Sequence, residues 1–442
     1  MKPREVALQV VRDVFPAVGE GRGAQEALEY RARAAKLDAR DRAFATQLAY
    51  GAIKMRRALD WYLQPYVGER RATLPATTGE ILRLAVYELR YTRADAYATV
   101  NEFVTLAKRH GHRGLAALVN GVLRTMLRET PIEPSRDLFE SDDDYLGTRY
   151  SLPTWLVRQW RDVFGATRLE AICAGVNRPA QPAITVHRCA VEPSSLAGRL
   201  LQDGVETEPS AFVAESLLIR GGIEALRAHD AQGRWWRQSE SSAIAVALLQ
   251  PQPGERILDA CSGRGNKALQ IADRLEGTGE LTCVDRNARK VQTLQQRLAE
   301  YGFAAAAIAG DATDPNLLPS KQFDRALLDA PCSGAGVVGR HPETRWKKRS
   351  TDGERLAAVQ AALLDATARR LYPGGALVYC VCSTDRREGV DLVASFVARN
   401  NVGYGLVPSS LAEFLTDRGD VLVPPGIDGR DGFYYARLEA GQ

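Results

Sequence analysis

The chain has 442 residues, of which 45% are hydrophobic and 25% charged, and its formal net charge is +4. These are the values of a soluble globular protein, and they exclude a fibrous or intrinsically disordered chain. The length predicts two or three domains, while the weak positive charge permits an RNA partner without requiring one.

The sequence carries no signal for membrane insertion or export. No apolar run approaches the roughly 20 residues that span a bilayer, and the first residues lead directly into an amphipathic pattern. The 7 cysteines are odd in number and scattered, and no CxxC pair offers zinc spacing. The sequence therefore predicts a cytoplasmic protein with no membrane segment and no metal site, and it leaves the thiols available for chemistry.

The first part of the chain, residues 1–130, has the apolar periodicity of helices. Val100, Phe103 and Ala107 recur at helical spacing. Asp38 stands where an N-cap is expected before the next apolar segment. This pattern predicts an all-α bundle that folds on its own.

A proline-containing linker at 131–136 separates this bundle from a mixed segment at 137–245. Short apolar runs at 184–186 and 216–219 predict strands, and residues 194–201 predict a helix. The segment is interpreted as an α+β connecting module.

From residue 246 to residue 442, strand and helix patterns alternate. Apolar runs that end at Asp259, Asp285 and Asp329 predict strands, with helical patterns between them. Such alternation predicts a parallel, doubly wound α/β sheet of the Rossmann-like kind. The whole chain is therefore predicted to be a multidomain protein.

The turn after the first of these strands, residues 259–268, is rich in glycine and is a candidate cofactor loop. A P-loop is excluded because Lys267 is followed by Ala268 and the glycine spacing is wrong. S-adenosylmethionine enzymes place an acidic residue at the end of the first strand, and Asp259 fits that position.

Two other interpretations of this turn stay open. Gly263, Gly265 and Ala268 formally satisfy the dinucleotide pattern GxGxxG/A, and Asp285 follows at about the 20-residue distance that ribose binding requires. A tight turn without any ligand is the third possibility.

Acidic residues close four successive predicted strands, namely Asp259, Asp285, Asp311 and Asp329. Each alone is commonplace as a capped or solvated side chain. Four together form an acidic rim that suits a ligand carrying a sulfonium and an ammonium group.

Two cysteines follow neighbouring strands, Cys332 after the fourth and Cys382 after the next clear one. A lone cysteine at a strand end is usually a small buried hydrophobe. Two thiols beside a methyl-donor loop suit cytosine chemistry, because a thiolate that adds to carbon 6 makes carbon 5 nucleophilic and a second group can assist release. Since a free thiol has a pKa near 8.5, Arg386, Arg387 and Lys267 are candidate electrostatic helpers.

Several segments closely resemble the RNA cytosine-5 methyltransferases, which are class I methyltransferases that use S-adenosylmethionine. The resemblance implies that Cys382 is the nucleophile and that Cys332 assists product release. It also implies that Asp329 touches both donor and base. The matching segments are residues 237–242, 329–336, 341–346, 379–383 and 431–438.

The helical part resembles NusB, an RNA-binding antitermination protein, at residues 41–42, 48–51, 82–84, 100–102 and 119–124. A NusB-like bundle ahead of such a methyltransferase resembles the bacterial RsmB (Sun/Fmu) type. This implies 16S ribosomal RNA as the substrate, either free or in an early small-subunit particle, and a monomeric enzyme.

The donor loop departs from that family's usual Asp-Ala-Cys-Ala-Ala-Pro-Gly-Gly-Lys-Thr. Arg264 replaces the proline, Asn266 a glycine and Ala268 the threonine, while Asp259 and Lys267 keep their register. The predicted catalytic residues are Cys382, Cys332, Asp329 and Lys267. The predicted donor-binding residues are Cys261, Ser262, Gly263, Arg264, Gly265, Asn266, Lys267, Asp285, Asp311 and Asp329.

A basic run after the Cys332 segment is predicted to contact the RNA backbone, with a solvated basic turn as the alternative. It consists of Arg345, Lys347, Lys348 and Arg349 around Trp346. Two other functions remain open at this stage: a nicotinamide dehydrogenase and an RNA-binding factor without catalytic activity.

Overall fold

A computed structural model shows two compact units. The helical unit comprises residues 1–177 together with 340–349, and the sheet unit comprises 178–339 together with 350–442. In the described part of the chain, no helix combines the length and the apolar character needed to cross a bilayer. The described residues are 2–68, 73–228, 233–318, 322–400 and 402–441.

The helical unit begins with a run of helices separated by short loops. In chain order they are α1 (Pro3–Val14), α2 (Ala24–Ala34), α3 (Ala39–Lys54), α4 (Arg56–Val67), α5 (Ala76–Tyr91), α6 (Ala96–His110), α7 (Arg113–Arg128), α8 (Asp142–Arg149), α9 (Thr154–Phe164) and α10 (Ala166–Gly175).

The first seven helices enclose one hydrophobic core to which each contributes its apolar face. The Asp38 carboxylate accepts a hydrogen bond from the Asp41 amide at 2.8 Å, which confirms the predicted N-cap of α3. The predicted helical spacing of Val100, Phe103 and Ala107 is also confirmed, since all three are buried on α6.

Arg57 of α4 joins α8, α9 and the loop between them to the first seven helices. The guanidinium donates to the Leu152 carbonyl at 2.9 Å and to the Thr154 hydroxyl at 2.8 Å. It also bonds the Asp144 carboxylate at 3.1 Å. Residues 137–177 therefore belong to the helical unit by their contacts, whereas the domain boundaries at 130, 137 and 245 stay predictions.

The sheet unit opens with a small antiparallel sheet of strand order β2-β3-β1-β4. Its predicted strands at 184–186 and 216–219 are confirmed. The elements are β1 (Ala183–Val186), α11 (Pro193–Gln202), β2 (Thr207–Pro209), β3 (Ser216–Ile219), α12 (Ile223–Ala228) and β4 (Trp235–Arg237).

A larger sheet follows, with strand order β10-β12-β9-β8-β5-β6-β7, and β11 pairs with β12. Its elements are α13 (Glu240–Leu249), β5 (Arg256–Asp259), α14 (Asn266–Arg274), β6 (Glu280–Asp285), α15 (Ala288–Glu300), β7 (Ala306–Ala309), β8 (Phe323–Asp329), α16 (Thr344–Lys347), α17 (Asp352–Ala368), β9 (Leu371–Val381), α18 (Val390–Arg399), β10 (Val402–Tyr404), β11 (Val421–Val423) and β12 (Phe433–Ala440).

Strands β5 to β9 are parallel, and β12 runs antiparallel to β9. One apolar cluster joins the sheet to α13, α14 and α15, and a second joins it to α17 and α18. The predicted doubly wound α/β fold is confirmed. Because the central strands are parallel, their carboxyl ends share one edge, where ligands bind in such sheets.

Residues 340–349, which include α16, belong to the helical unit although the flanking chain belongs to the sheet unit. Arg345 is 1% exposed and donates to the Ser151 carbonyl at 3.0 Å and to the Asn177 side chain at 2.8 Å. The Trp346 indole donates to the Ile53 carbonyl at 2.6 Å. The prediction that Arg345 contacts the RNA backbone is therefore wrong, because its guanidinium is buried in protein.

The other cations of this run are placed differently. Lys347 is exposed, but its amine donates to the Gly21 carbonyl at 2.9 Å and to the Arg22 carbonyl at 2.6 Å. Lys348 is half-buried and Arg349 is exposed. An RNA contact by these three residues stays a prediction.

Candidate active site

A cavity of about 1070 Å³ opens at the carboxyl edge of the large sheet, a volume close to the upper limit that is usual for small-molecule sites. A smaller recess of about 220 Å³ adjoins it. Of the predicted site residues, the cavity is lined by Cys261, Gly263, Asp285, Asp311, Asp329, Cys332 and Cys382. The recess is lined by Cys261, Ser262, Gly263, Arg264, Gly265, Asn266, Lys267 and Asp329.

Two cysteine sulfurs meet at the cavity wall, Cys332 Sγ lying 3.2 Å from Cys382 Sγ. Strand pairing sets this distance, since Asp329 of β8 lies opposite Cys380 of β9 and each cysteine follows within three residues. The Gly336 amide donates to the Cys382 carbonyl at 3.0 Å and holds the two segments together. Contact with the Cys382 sulfur, together with burial, raises the pKa of Cys332 well above its ordinary value, so Cys332 is a neutral thiol at physiological pH.

Lys267 and Asp329 form an ion pair at 2.6 Å between α14 and the end of β8. Burial opposes the charge of Lys267, but the neighbouring acidic groups, with Asp329 first among them, together outweigh it and raise the pKa of the ammonium above its ordinary value. Lys267 is therefore engaged by a carboxylate rather than by a thiol. The other two candidate helpers are also engaged, Arg386 with Asp391 at 2.8 Å and Arg387 with Asp385 at 2.6 Å.

The candidate cofactor loop, residues 259–268, is fixed to the end of β6 by Asp285. The Gly263 amide donates to one oxygen of this carboxylate at 2.9 Å, and the Asn287 amide donates to the other at 2.8 Å. The unusual Asn266 accepts a hydrogen bond from Arg297 at 2.6 Å. This contact explains how the loop accommodates an asparagine in place of the family's glycine.

Asp259 is an orphaned carboxylate at the end of β5. It is 1% exposed, and neither oxygen accepts a hydrogen bond of ordinary geometry from a described residue. Burial raises its pKa to about 7, and the negative charge of Asp329 adds to the rise. The charge of Lys267 opposes this rise, and so does the Cys261 amide, which does not lie in hydrogen-bonding geometry. A buried carboxylate without a hydrogen-bond partner fits a cationic ligand at this position.

At the other end of the cavity, Asp311 is already organised as an acceptor. Its carboxylate accepts from the Thr313 hydroxyl at 2.7 Å and from the Thr313 amide at 2.9 Å. The hydroxyl contact is the main cause that lowers the pKa of Asp311 below its ordinary value. Asp311 is therefore ionised at neutral pH.

Glu388 was not among the predicted site residues. It is 0% exposed, and its carboxylate accepts hydrogen bonds from the Ser333 amide at 2.8 Å and the Ser383 hydroxyl at 2.7 Å. The sequence does contain a signal for this arrangement, a Cys-Ser pair that occurs both at 332–333 and at 382–383. Two such similar segments at neighbouring strand ends can bind one common residue, here Glu388.

Gly265 is the N-cap of α14 with φ +91°, and a Cβ there would overlap the Leu294 side chain. If the loop binds the donor predicted from the sequence, Gly265→Ala should weaken binding of S-adenosylhomocysteine about tenfold, because the left-handed backbone costs about 1–2 kcal/mol and the loop must shift away from Leu294. Isothermal titration calorimetry measures the change. Gly277→Ala is the matched control, since its φ is +74° with open space around the Cβ. Equal affinities of the two variants would contradict the prediction.

Comparison with protein families gives three matches along the chain. Residues 246–439 match the family 16S rRNA methyltransferase RsmB/F. Residues 1–128 match the NusB family, and residues 152–225 match the ferredoxin-like domain of RsmF/B-like methyltransferases.

Similar proteins cover nearly the whole chain. A probable ribosomal RNA small subunit methyltransferase B of Bacillus subtilis is 30% identical over 91% of this chain and 91% of its own. The ribosomal RNA small subunit methyltransferase B of Thermus thermophilus is 33% identical over 99% of this chain and 97% of its own. The crystal structure of PH0851 shares the fold with a TM-score of 0.82 at 22% identity, over 99% of both chains.

Proposed function

This chain belongs to the RsmB/F family of 16S rRNA methyltransferases, and we propose that it methylates carbon 5 of a cytosine in 16S rRNA with S-adenosylmethionine as donor. The observation that carries the proposal is the contact of the Cys332 and Cys382 sulfurs on the wall of the strand-end cavity. Methylation at an exocyclic nitrogen or a ribose oxygen has no use for two adjacent thiols.

The two thiols divide the chemistry of cytosine between them. The Cys382 sulfur bonds to carbon 6, and the ring's electron pair moves to carbon 5. Carbon 5 takes the methyl group, and S-adenosylhomocysteine is the leaving group. Water then accepts the carbon 5 proton, the electron pair of that carbon–hydrogen bond restores the ring double bond, and the Cys382 sulfur leaves carbon 6 as a thiolate. Cys332 lies 3.2 Å from the attacking sulfur and is a thiol, so it is placed to assist this release.

The residues around the cavity fit S-adenosylmethionine, which supplies an electrophilic methyl group on a sulfonium. The orphaned Asp259 suits the donor's ammonium group, Asp285 its ribose hydroxyls and Asp311 its adenine amine. Asp329 lines both the cavity and the recess and is the residue placed to face both donor and base. The remaining contacts come from Cys261, Ser262, Gly263, Arg264, Gly265, Asn266 and Lys267.

The substrate cytosine must be unpaired or flipped out, because stacking in a duplex hides carbons 5 and 6. The NusB-family match over residues 1–128 supports RNA binding by the helical unit. The basic residues Lys348 and Arg349 remain candidates for contacts with the RNA backbone.

Transfer of labelled methyl to unmodified 16S rRNA, naked or in small-subunit particles, tests the proposal. Nucleoside analysis should find 5-methylcytosine at one position. A different methylated nucleoside would overturn the cytosine assignment, and no incorporation on either substrate would overturn the activity. Thermal shifts with S-adenosylhomocysteine and with NAD separate the donor from the dinucleotide alternative, since only the true ligand raises Tm.

Donor affinity should fall as the pH drops below about 7. Asp259 has its pKa raised to about 7 by burial, so below that pH the carboxyl is protonated and the donor's ammonium must displace the proton. We expect the Kd of S-adenosylhomocysteine to rise about tenfold per pH unit below 7 and to level off above it. Calorimetry between pH 5.5 and pH 8.5 checks this.

Asp259→Asn is the control for this pH dependence. It should bind the same ligand weakly at every pH, because its amide has no charge to gain or lose. A pH-dependent Kd in the variant, or a pH-independent Kd in the unaltered protein, would remove Asp259 from the donor site.

A further inference from the structure

Glu388 binds both cysteine segments without lining the cavity. Its Oε2 accepts from the Ser333 amide at 2.8 Å and from the Gln360 side-chain amide at 3.0 Å. Its Oε1 accepts from the Ser383 hydroxyl at 2.7 Å and from the Ser333 hydroxyl. All four partners are donors, and an ionised carboxylate only accepts, so the surroundings match its ionised form.

These contacts lie one residue from each sulfur. Ser333 follows Cys332 and Ser383 follows Cys382, and the two serine hydroxyls are 3.0 Å apart, much as the two sulfurs are 3.2 Å apart. The Glu388 carbonyl in turn accepts from the Tyr379 hydroxyl of β9 at 2.6 Å, which fixes the residue to the sheet. One buried carboxylate thus bridges two segments that lie 50 residues apart in the chain.

We propose that Glu388 is a positioning residue for the cysteine pair, which holds the segments after Cys332 and Cys382 together so that both sulfurs reach the same cytosine ring. This proposal rests on the proposed methyl transfer. Its physical basis is that a misplacement of about 1 Å in a reacting group can lower a rate about 100-fold.

The negative charge of Glu388 also acts on the protonation of Cys332. After contact with the Cys382 sulfur and burial, the negative charge of Glu388 contributes to raising the pKa of Cys332. A neutral thiol is a poor nucleophile. The charge of Glu388 therefore favours the protonated form of the Cys332 thiol.

Two variants separate position from charge. In Glu388→Gln, the new amide can face the serine hydroxyls, which turn to accept from it, so the bridge persists while the charge is lost. In Glu388→Ala, both are lost. Glu413→Gln is the matched control, because Glu413 is exposed and lies outside the cavity lining.

Alkylation by iodoacetamide across pH 6 to 10, followed by mass spectrometry, measures the reactivity of each cysteine separately. We expect Cys332 in Glu388→Gln to be alkylated at lower pH than in the unaltered protein, at least about threefold faster at pH 8. Glu413→Gln should follow the unaltered protein. An unchanged Cys332 profile in both Glu388 variants would overturn the role of the charge.

The kinetics of methyl transfer test whether Glu388 positions the two sulfurs. We expect kcat to fall about 100-fold in Glu388→Ala and less in Glu388→Gln, with the KM for S-adenosylmethionine unchanged because Glu388 does not line the cavity. A kcat within about twofold of that of the unaltered protein would overturn the proposal. A loss of donor affinity and of Tm together, without a specific loss of kcat, would overturn it as well.

If Glu388→Ala does not fold, two other variants take its place in the alkylation and kinetic measurements. These are Ser333→Ala and Ser383→Ala, each of which removes one hydroxyl contact to Glu388. Each should lower kcat with the donor KM unchanged, and unchanged kinetics in both would overturn the proposal. If the unaltered protein methylates no RNA, the proposed function fails by itself, while the alkylation profiles still decide whether Glu388 controls the thiols.

Discussion

We expect replacement of Cys382 by alanine to lower the kcat of methyl transfer to rRNA by at least about 10⁴-fold. In the proposed mechanism no bond forms to carbon 6 without this sulfur, and carbon 5 of an aromatic cytosine is too weak a nucleophile to react. Donor binding should persist, because several other side chains line the cavity. Labelled-methyl incorporation measures the rate, and calorimetry with S-adenosylhomocysteine measures the binding.

Replacement of Cys332 by alanine should have a different effect. In the proposed mechanism attack by Cys382 still occurs in this variant, but the group that assists release is missing, so we expect a covalent protein–RNA adduct to accumulate and to survive a denaturing gel. The double variant should form none. If the two single variants behave alike, with adducts in both or in neither, the division of roles between the two sulfurs is incorrect.

Cys189→Ala is the matched control for both cysteine variants. Cys189 is exposed and lies outside the cavity lining, so the variant should methylate RNA at the unaltered rate. A loss of activity there would show that cysteine replacement acts through the stability of the fold rather than through the cavity.

Replacement of Arg345 by leucine should destabilise the helical unit by about 3–5 kcal/mol. The buried guanidinium donates to the Ser151 carbonyl, the Val176 carbonyl and the Asn177 side chain, at 3.0, 3.1 and 2.8 Å. Removing it leaves these acceptors buried and unsatisfied, at about 1–3 kcal/mol each before relaxation. Burial lowers the pKa of Arg345 to about 9, so the lost group is still a cation at neutral pH.

Hydrogen exchange of α10 and urea unfolding followed by tryptophan fluorescence measure this loss. Arg345→Lys should not restore stability, because a single amine cannot reach acceptors that a planar guanidinium bridges. Arg93→Leu is the control at an exposed arginine and should change the free energy of unfolding by about 0.5 kcal/mol or less. Similar losses in the two leucine variants would contradict the structural role of Arg345.

Patterns within short stretches of sequence were enough to predict the sheet and the position of its ligand edge. The runs ending at Asp259, Asp285 and Asp329 are strands, and they are parallel as predicted. In a parallel sheet all carboxyl ends share one edge, so the residues after them meet whatever their separation in the chain. For this reason the sequence already grouped the acidic residues with Cys332 and Cys382.

The environment of individual charged side chains was decided only by the tertiary structure. Arg345 and Arg349 stand in one basic run, yet the first is 1% exposed and the second lies at the surface. The sequence predicted that the run faces RNA, with solvent as the alternative, because a charge is buried only where distant groups supply its hydrogen bonds. Those groups, at residues 151, 176 and 177, lie more than 160 residues away in sequence.

The tertiary structure also decided the surroundings of two carboxylates, Asp259 and Glu388. The sequence determined that Asp259 ends a strand, but its lack of partners depends on the packing around it. The sequence did not single out Glu388, and only the approach of the Ser333 and Ser383 segments and of Gln360 gave it four donors. Local sequence determines the element on which a side chain lies, whereas its charge state and hydrogen-bond partners depend on the distant residues that the fold packs around it.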